Sequence, residues 1–465
     1  MEGYFDGLFW PRCLFQRGLA AIYLIAFGSA LNQFRPLLGE AGLLPVPRFL
    51  ARSGFRETPS LFHLRYSDRL FALVAWVGIA LSLCALLGIS ERGPLWLSCA
   101  VWLALWALYL SIVNVGQVFY AFGWESMLLE AGFFACFLGP SQLEPSPLPI
   151  LALRWMLFRT EVGAGLIKLR HDPCWRDLTC LYYHYETQPL PNPLSWYFHH
   201  LPKWVHRAGV LFSHLVQVGA PFGLFLPQPW AAGAAGLIIA HQLLLIVSGN
   251  YAWLNWLTVV LGFCALSDGL VGLPAPDLRE RPLAFEVVLY GMAALTLVLS
   301  VRPARNLFHK HQRMNYSYNR LHIVNAYGAF GSVTRERYEI VLEGAADADD
   351  DDWREYGFKG KPGDPRRRPP QVAPYHLRLD WLMWFQALGG MRRPEAWFVR
   401  LIERLLAGDR SISKLLGHDP FPDRPPRRIR AIAYRYAYTD RRERAESGAL
   451  WKRERLGEFY SDAAH

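Results

Sequence analysis

Three ionisable residues are spaced seven apart in a mostly apolar stretch of this sequence. Arg154, Glu161 and Lys168 lie within 148–168. Seven residues make two turns of an α-helix, so the three side chains would share one helical face. Ionisable groups are costly at membrane depth, and this face must therefore turn toward the interior of a helix bundle. It could form a hydrogen-bonded network that holds helices together, or a ligand or reaction site in which Lys168 acts as a base.

Further polar residues lie in or beside the neighbouring apolar segments: Glu125, Glu130, His241, Asn250 and Asn255. We expect Glu161, or one of the other two glutamates, to neutralise at least one of the two cations of the stripe. Lys168, Glu161 and His241 are the candidates for a reaction site, but the sequence assigns no catalytic residue. No serine nucleophile motif, phosphate-binding loop or metalloprotease helix is present, and we expect neither a cofactor nor a metal.

Apolar stretches long enough to cross a bilayer recur through the first 301 residues. A bilayer core needs about 20 apolar residues in helical form, because no water is present to satisfy the backbone. The stretches 70–89 and 94–113 are uncharged over this length. The other candidates are 19–34, 148–168, 209–226, 230–248, 251–267 and 283–301, with a shorter one at 124–139. We therefore predict an α-helical polytopic membrane protein with eight or nine spanning helices.

The charged residues are concentrated after Val301. The chain has 18 Lys+Arg and 17 Asp+Glu up to this residue, then 31 and 22 from Arg302 onward, so the last part carries +9 of the net charge of +10. This shift predicts a transmembrane domain over 1–301, with an interfacial loop at 169–208, and a soluble basic domain over 302–465. No nucleic-acid-binding module accompanies the basic residues, so we expect lipid headgroups rather than nucleic acid beside them.

Residue patterns after position 302 indicate an α+β fold for the soluble domain. Alternating apolar and polar residues over 321–343 predict two strands around a glycine-rich turn at 328–331. The stretches 378–389 and 395–407 fit helices, and 430–439 fits a strand with one aromatic face.

The interfacial loop is rich in residues with polar or aromatic side chains. Three prolines at alternate positions, 189, 191 and 193, favour an extended path, and the Trp and Tyr residues suit a membrane interface. Cys174 and Cys180 share this loop and could form a structural disulfide or a redox pair. Five intervening residues are not the two-residue redox spacing, and a zinc site that also used His184 would fit no standard pattern.

This loop, from Asp172-Pro173-Cys174-Trp175 to Pro191-Asn192-Pro193, resembles the signature loop of the lipase maturation factor family. Similar motifs precede it at Arg154-Trp155 and 163–170. They follow it at 249–255, 325–334, 379–385 and 419–421, so that the resemblance covers roughly residues 120–460. Ala252-Trp253-Leu254 and Ala326 depart from the family pattern. The motif residues that we carry over as binding or motif positions are Arg154, Asp172, Cys174, Trp175, His184, Tyr185, Glu186, Gln188, Pro191, Asn192, Asn250, Asn255, Tyr327 and Gly328.

The resemblance implies a multi-pass protein of the endoplasmic reticulum membrane, or of the inner membrane in a bacterium. Such a protein helps secreted client proteins, dimeric lipases in the family, to fold and mature. It also implies a C-terminal domain on the lumenal or periplasmic side. The arginines and lysines of loops 35–69 and 169–208 predict the opposite orientation by the positive-inside rule, and we follow the family. The membrane core is also distantly similar to the vitamin K-dependent carboxylase. The alternative is therefore a membrane enzyme of carboxylase-like or quinone- or lipid-linked type, with a buried Lys, Glu and His site.

Overall fold

The computed structural model describes residues 7–347, 352–389 and 393–463. Within them the chain forms thirteen α-helices of seven or more residues: α1 Phe9–Leu38, α2 Asp68–Leu86, α3 Leu95–Val115, α4 Gly123–Ala135, α5 Pro147–Arg170, α6 Leu181–Thr187, α7 Lys203–His214, α8 Trp230–Ser248, α9 Leu254–Gly262, α10 Leu283–Phe308, α11 Arg378–Leu388, α12 Ala396–Leu406 and α13 Arg441–Ser447. Shorter helical pieces are Val46–Leu50, Leu61–His63, Ile89–Arg92, Gln117–Tyr120, Pro173–Arg176, Ser195–His199, Leu215–Gly219, Ala220–Gly223, Phe263–Ala265, Asp268–Val271 and Arg410–Ser413.

Five helices, α1, α2, α3, α8 and α10, are long and apolar enough to cross a membrane among the described residues. Their outer faces expose large apolar side chains, such as Trp76 on α2 and Leu297 on α10. A soluble protein rarely exposes such continuous apolar surface, whereas a bilayer accommodates it. An integral membrane protein is therefore confirmed.

Among the remaining predicted spans, 148–168 lies in one continuous helix, α5, and the others are shorter or interrupted. The helix α4 has 13 residues, and the stretch 209–226 is divided into α7, a π-helical turn at Leu215–Gly219 and the short helix Ala220–Gly223. The stretch 251–267 forms α9 and a 3₁₀ turn. The π-helical turn precedes Pro221, which has no N–H to donate to the carbonyl of Gln217. The count of eight or nine spans thus stays a prediction.

At one end of the helix bundle, the start of α1 lies near several of the segments that connect the helices. The backbone N–H of Trp10 donates to the Asp268 carboxylate at 2.7 Å, and that of Glu144 donates to the carbonyl of Arg279 at 2.9 Å. The side chain of Gln228 donates to the carbonyl of Ala265 at 2.9 Å. The segments after α4, before α8 and after α9 therefore lie at the same end as the start of α1.

The other end of the helix bundle carries the C-terminal region, which here means the described residues after α10: 309–347, 352–389 and 393–463. Its contacts with the bundle loops are Arg400 Nη1 to the Leu43 carbonyl (2.9 Å), Arg378 Nη1 to the Phe119 carbonyl (2.7 Å), Trp196 Nε1 to the Thr439 carbonyl (2.9 Å) and the Val372 N–H to Asn250 Oδ1 (2.8 Å). Four bundle loops, after α1, α3, α5 and α8, thus meet the same C-terminal region. Successive helical segments run alternately between the two ends.

The C-terminal region contains a small antiparallel sheet of four strands: β1 Arg337–Ala345, β2 Arg354–Glu355, β3 Arg428–Tyr438 and β4 Trp451–Ala463. Their order is β2-β1-β3-β4. The register places Ile340 opposite Ala433 in the β1–β3 pair. The helix α11 packs against β1, and α12 packs against β3 and β4. The predicted helices over 378–389 and 395–407 and the strand over 430–439 agree with α11, α12 and β3 within two residues.

The predicted strand pair over 321–343 is wrong in its first half. Only β1 is a strand there, and 321–333 has no strand, apart from an isolated bridge of Ala326 with Tyr316. This segment is held by the membrane helices instead of by a neighbouring strand. The carbonyl of Tyr327 lies so close to α5 that a Cβ on Gly163 would meet it at 2.3 Å. The close approach explains the glycine at position 163.

Two carboxylates buried in α4 attach the C-terminal half of the chain to the bundle. Glu125 binds Arg378 of α11 at 2.7 Å and accepts a hydrogen bond from Tyr109. Glu130 pairs with Arg159 of α5 and also accepts the N–H of Asn325 at 2.8 Å. The expectation that these glutamates neutralise the cations of the stripe is therefore wrong. Their partners are arginines that the spacing argument did not include.

Replacing Arg378 with methionine should destabilise the protein strongly. The substitution leaves the Glu125 carboxylate buried, with 0% of its side chain exposed, without its arginine. Breaking a buried ion pair by removing one partner typically costs about 3–5 kcal/mol. Chemical or thermal unfolding in detergent will measure the loss.

Arg335→Met is the matched control, because Arg335 is 44% exposed in its ion pair with Asp172 and such surface pairs contribute about 0–1 kcal/mol. The double variant Glu125→Gln/Arg378→Met should recover part of the lost stability. An Arg378→Met protein as stable as the Arg335→Met protein would contradict the role of this ion pair.

Candidate functional site

A cavity of about 740 Å³ lies between the bundle and the C-terminal region. Its walls come from α4, α5, α7, α8 and α9 on the bundle side. From the other side, α6, the segment 327–332 and the aromatic side chains of Trp381, Trp384 and Phe385 on α11 close it. Most lining side chains are apolar or aromatic. The volume lies within the range of about 300–1,000 Å³ that is typical of small-molecule sites.

Lys168 and Glu161 both line this cavity, as their shared helical face predicts. The Nζ atom of Lys168 donates to Gln217 Oε1 at 2.7 Å and lies 4.7 Å from the ring centre of Trp175. Glu161 Oε1 accepts a hydrogen bond from Gln242 Nε2 at 2.7 Å. Among the described residues, Glu161 and Lys168 do not form an ion pair with each other. Both charges are bound by neutral amides.

Arg154, the third member of the stripe, is not part of the cavity wall. Its Nε donates to the carbonyl of Cys264 at 2.8 Å, and its Nη1 donates to the carbonyl of Leu224 at 3.3 Å. Both carbonyls lie at the C-terminal ends of helical segments, where backbone oxygens have no partner within the helix. Arg154 therefore holds these segments together. Glu161, which the sequence offered as a partner for one of the two cations, instead accepts a hydrogen bond from Gln242.

Two glutamines missed by the sequence analysis complete the polar wall. Gln217 lies in the π-helical turn, and Gln242 also accepts a hydrogen bond from Asn255 Nδ2 at 2.9 Å. Asn255, Gln242 and Glu161 thus form a hydrogen-bonded chain across α9, α8 and α5. Each glutamine is a rare polar residue in an apolar stretch, and this was the signal that could have identified it.

Two histidines reach the cavity from opposite sides. His241 on α8 lines it next to Gln242, and its ring centre is 5.9 Å from that of Phe212. His184 on α6 is 2.9 Å from the hydroxyl of Tyr251, and this hydroxyl donates its proton to Gln188 Oε1 at 2.5 Å. The Nε2 atom of His184 must therefore carry a proton. Burial, and secondarily the charge of Lys168, lowers the pKa of His184 to about 3, so this imidazole is neutral at neutral pH.

The first turn of the signature loop is held by a disulfide and by hydrogen bonds to Asp172. The Sγ atoms of Cys174 and Cys180 are bonded, with their Cα atoms 4.8 Å apart. Asp172 accepts the N–H groups of Cys174 (3.0 Å) and Val333 (3.1 Å) and binds Arg335 at 2.9 Å. Asp172, Cys174 and Cys180 cluster within 4.8 Å, but sulfurs joined in a disulfide are not thiolate ligands for a metal.

The second part of the loop is attached to the sheet. Arg337 on β1 donates to the carbonyls of Glu186 (3.0 Å) and Pro189 (3.0 Å), and Glu186 accepts the N–H of Tyr438 at 2.8 Å. Partial burial raises the pKa of Glu186 despite this hydrogen bond. These contacts fix the position of α6, and with it the position of His184 at the cavity wall.

Asparagines connect the same loop to the bundle. The side chain of Asn250 accepts the N–H groups of Val372 and Ala373 and donates to the carbonyl of Pro191 at 3.1 Å. Asn192 Nδ2 donates to the carbonyl of Val247 at 2.9 Å.

The residues predicted from the sequence therefore fall into two groups. Those that line the cavity are Glu161, Lys168, Trp175, His184, Tyr185, His241, Asn255, Tyr327 and Gly328. Those that position the loop or helices around it are Arg154, Asp172, Cys174, Cys180, Glu186, Gln188, Pro191, Asn192 and Asn250.

Comparisons with known proteins identify relatives over almost the whole chain. The family model for the lipase maturation factor transmembrane domain matches residues 10–273, and the model for the lipase maturation factor C-terminal domain matches residues 323–461. The chain is 41% identical to lipase maturation factor 1 of Homo sapiens, over 98% of this chain and 88% of that protein. It is 40% identical to the Bos taurus protein of the same name, over 98% and 89%. Lipase maturation factor 2 of Homo sapiens is 31% identical, over 97% and 82%. No solved structure matches.

The disulfide should appear as one pair of linked tryptic peptides. Arg176 lies between the two cysteines, so trypsin should release residues 171–176 and 177–203 joined through Cys174 and Cys180. Mass spectrometry under non-reducing conditions will detect the pair. The cysteines at 13, 84, 99, 136 and 264 are free and serve as internal controls, since they should react with an alkylating reagent after unfolding without reductant. Recovery of Cys174 and Cys180 as alkylated thiols under the same conditions would disprove the link.

Proposed function

We propose, because this chain belongs to the lipase maturation factor family, that it is a membrane-embedded maturation factor for secreted lipases. The observation that carries the proposal is the extent of the similarity. It spans 98% of this chain and includes the bundle, the signature loop and the C-terminal sheet. In this structure, buried hydrogen bonds join the bundle, the signature loop and the C-terminal region to one another. The similarity therefore covers parts that contact each other.

The two ends of the bundle support a more detailed membrane topology. We propose nine membrane-crossing segments: α1, α2, α3, α4, α5, α7 with its continuation to Gly223, α8, α9 with its continuation to Ala265, and α10. Within residues 7–308 these segments alternate in direction, because the loops between them contact the C-terminal region at one end and the start of α1 at the other. The proposed division of the chain near Val301 falls within α10, which continues to Phe308 and leads into the C-terminal region.

The alternation determines which loops share a side of the membrane. The arginine-bearing loops 35–69 and 169–208 lie with the C-terminal region, and the start of α1 lies on the other side. Clients of a maturation factor fold in the lumen of the endoplasmic reticulum, or in the bacterial periplasm. We therefore place the C-terminal region there, where it acts as a folding factor.

A membrane enzyme is the second candidate function, and the cavity is the observation that favours it. Lys168, Glu161, His241 and His184 line one cavity, as the groups of a reaction site would. Under this hypothesis Lys168 is a catalytic base. Under the maturation hypothesis, Lys168 and Gln217 help to hold α5 against the π-helical turn.

Maturation activity should be measurable in cells that lack their own family member. Co-expression of this chain with a secreted dimeric lipase should raise the lipase activity per amount of secreted lipase protein, because more of the lipase reaches its folded dimer. A secreted enzyme that is not a lipase should show no gain. No gain in specific lipase activity, with the chain present in the membrane, would contradict the proposed function.

The variant Lys168→Met separates the two candidate functions in that assay. Methionine has a similar length and no charge, so the folded bundle should be retained. A well-folded Lys168→Met protein that still matures the lipase supports the structural role of this lysine. A well-folded protein that has lost the activity supports the enzyme.

Tags at the two ends of the chain should be reached by protease from opposite sides of the membrane. In sealed microsomes, a tag placed after His465 should be protected and a tag placed before Met1 should be digested. The two tags control for each other, because rupture of the vesicles exposes both. A C-terminal tag digested from the cytoplasmic side would exclude the lumenal placement and agree with the positive-inside rule.

A further inference from the structure

The cavity contains buried polar atoms that the surrounding protein does not satisfy. Among the described residues, Glu161 Oε2, Asn255 Oδ1 and His241 Nδ1 have no hydrogen-bond partner. Their residues are only 1%, 3% and 5% exposed. Buried polar atoms are normally paired, because an unpaired one loses its hydration without compensation. Three such residues around one cavity indicate a site for the polar group of a ligand.

The rest of the cavity suits a hydrocarbon chain. Most of its wall away from Glu161 is formed by aliphatic and aromatic side chains, including Met127, Phe330 and Trp384. A cavity of about 740 Å³ has the size of a site for one small molecule. A ligand that satisfies both parts is an amphiphile with one apolar chain and a compact polar head.

The cavity wall also reaches the outer surface of the bundle. Leu244 lines the cavity and is 49% exposed on α8, one of the five candidate spanning helices. Leu201, which precedes α7, lines the cavity from the neighbouring segment and is 38% exposed. The outer face of α8 is in contact with lipid in a membrane, so a lipid could reach the cavity sideways between α7 and α8.

The charges and hydrogen-bonding groups of the wall select the head of this amphiphile. Glu161 and Lys168 carry opposite formal charges, so their net charge is zero. The two residues together therefore do not favour a ligand with a charged head. The free oxygens of Glu161 and Asn255 accept hydrogen bonds, and a head that satisfies them must donate. The ammonium of Lys168 donates, and the same head can accept from it. Hydroxyl groups do both.

We propose that this cavity binds a neutral single-chain lipid with a hydroxylated head, of the monoacylglycerol class, taken up from the bilayer. The hydroxyl groups bind Glu161 and Asn255, beside Lys168 and His241. The acyl chain lies among the aromatic side chains below α11. This site is independent of the proposed function, because it is argued from the cavity alone.

Monooleoylglycerol is the probe for this site. We expect the full-length protein in detergent to bind radiolabelled monooleoylglycerol saturably, with one molecule per chain. Methyl oleate has the same chain without hydroxyl groups, and sodium oleate has a carboxylate head. Neither should displace the probe at concentrations where unlabelled monooleoylglycerol does. Equal displacement by all three compounds, or binding that does not saturate, would overturn the proposal.

Glu161→Gln tests the head group within the same assay. Glutamine can keep the hydrogen bond from Gln242 but replaces the free acceptor with an N–H donor, and we expect about a tenfold weaker affinity, equal to about 1.4 kcal/mol. Glu144→Gln, at a carboxylate that is 57% exposed outside the cavity, should leave the affinity unchanged. Unchanged binding by a folded Glu161→Gln protein would overturn the assignment of the head.

Ala164→Phe tests the cavity if the glutamine variant does not fold. Ala164 lines the cavity, and a phenyl group there would fill part of its volume. We expect this variant to lose saturable binding, and retained binding would overturn the proposed site. The assay contains no lipase, so its failure is distinguishable from a failure of the maturation hypothesis.

Discussion

The buried carboxylates of α4 constrain most of this structure. Glu125 and Glu130 are inside the protein, where an unpaired charge is costly, and each is neutralised by an arginine and further hydrogen bonds. Glu125 binds Arg378 of the C-terminal region, and Glu130 binds Arg159 together with the backbone of Asn325. The C-terminal half of the chain supplies a partner to each carboxylate, so satisfying both of them restrains its position on the bundle. This position places α11 and the segment 327–332 over the end of α5.

The cavity is a consequence of that position. The bundle supplies one wall of the cavity, with Lys168 and Glu161, and the signature loop and α11 supply the opposite wall. The loop is itself held from two sides, by Arg337 of the sheet and by Asn250 of the bundle. The polar residues of the signature loop therefore act mostly as positioning residues. Their effect on any bound molecule passes through the placement of His184, Tyr185 and Trp175 at the cavity wall.

Several features were predictable because they depend on local sequence. The helices α2 and α3 follow from uncharged apolar stretches, and α11, α12 and β3 follow from residue periodicity. The shared position of Glu161 and Lys168 follows from helical geometry alone. The strand predicted at the start of 321–343 failed, because Asn325 and Tyr327 are bound by Glu130, nearly 200 residues earlier in the chain. A periodic pattern contains no information about such a distant partner.

The sequence by itself determined the class of protein, the apolar segments of the bundle and the residue types gathered in the signature loop, because hydrophobicity, periodicity and motif spacing are properties of short stretches. Only the tertiary structure decided which charges meet. Arg154 donates to a backbone carbonyl, Glu125 pairs with Arg378, Lys168 donates to Gln217, and Glu161 accepts from Gln242. The physical reason is that a buried charge is stabilised by whichever partner the packing of distant helices brings within hydrogen-bonding distance.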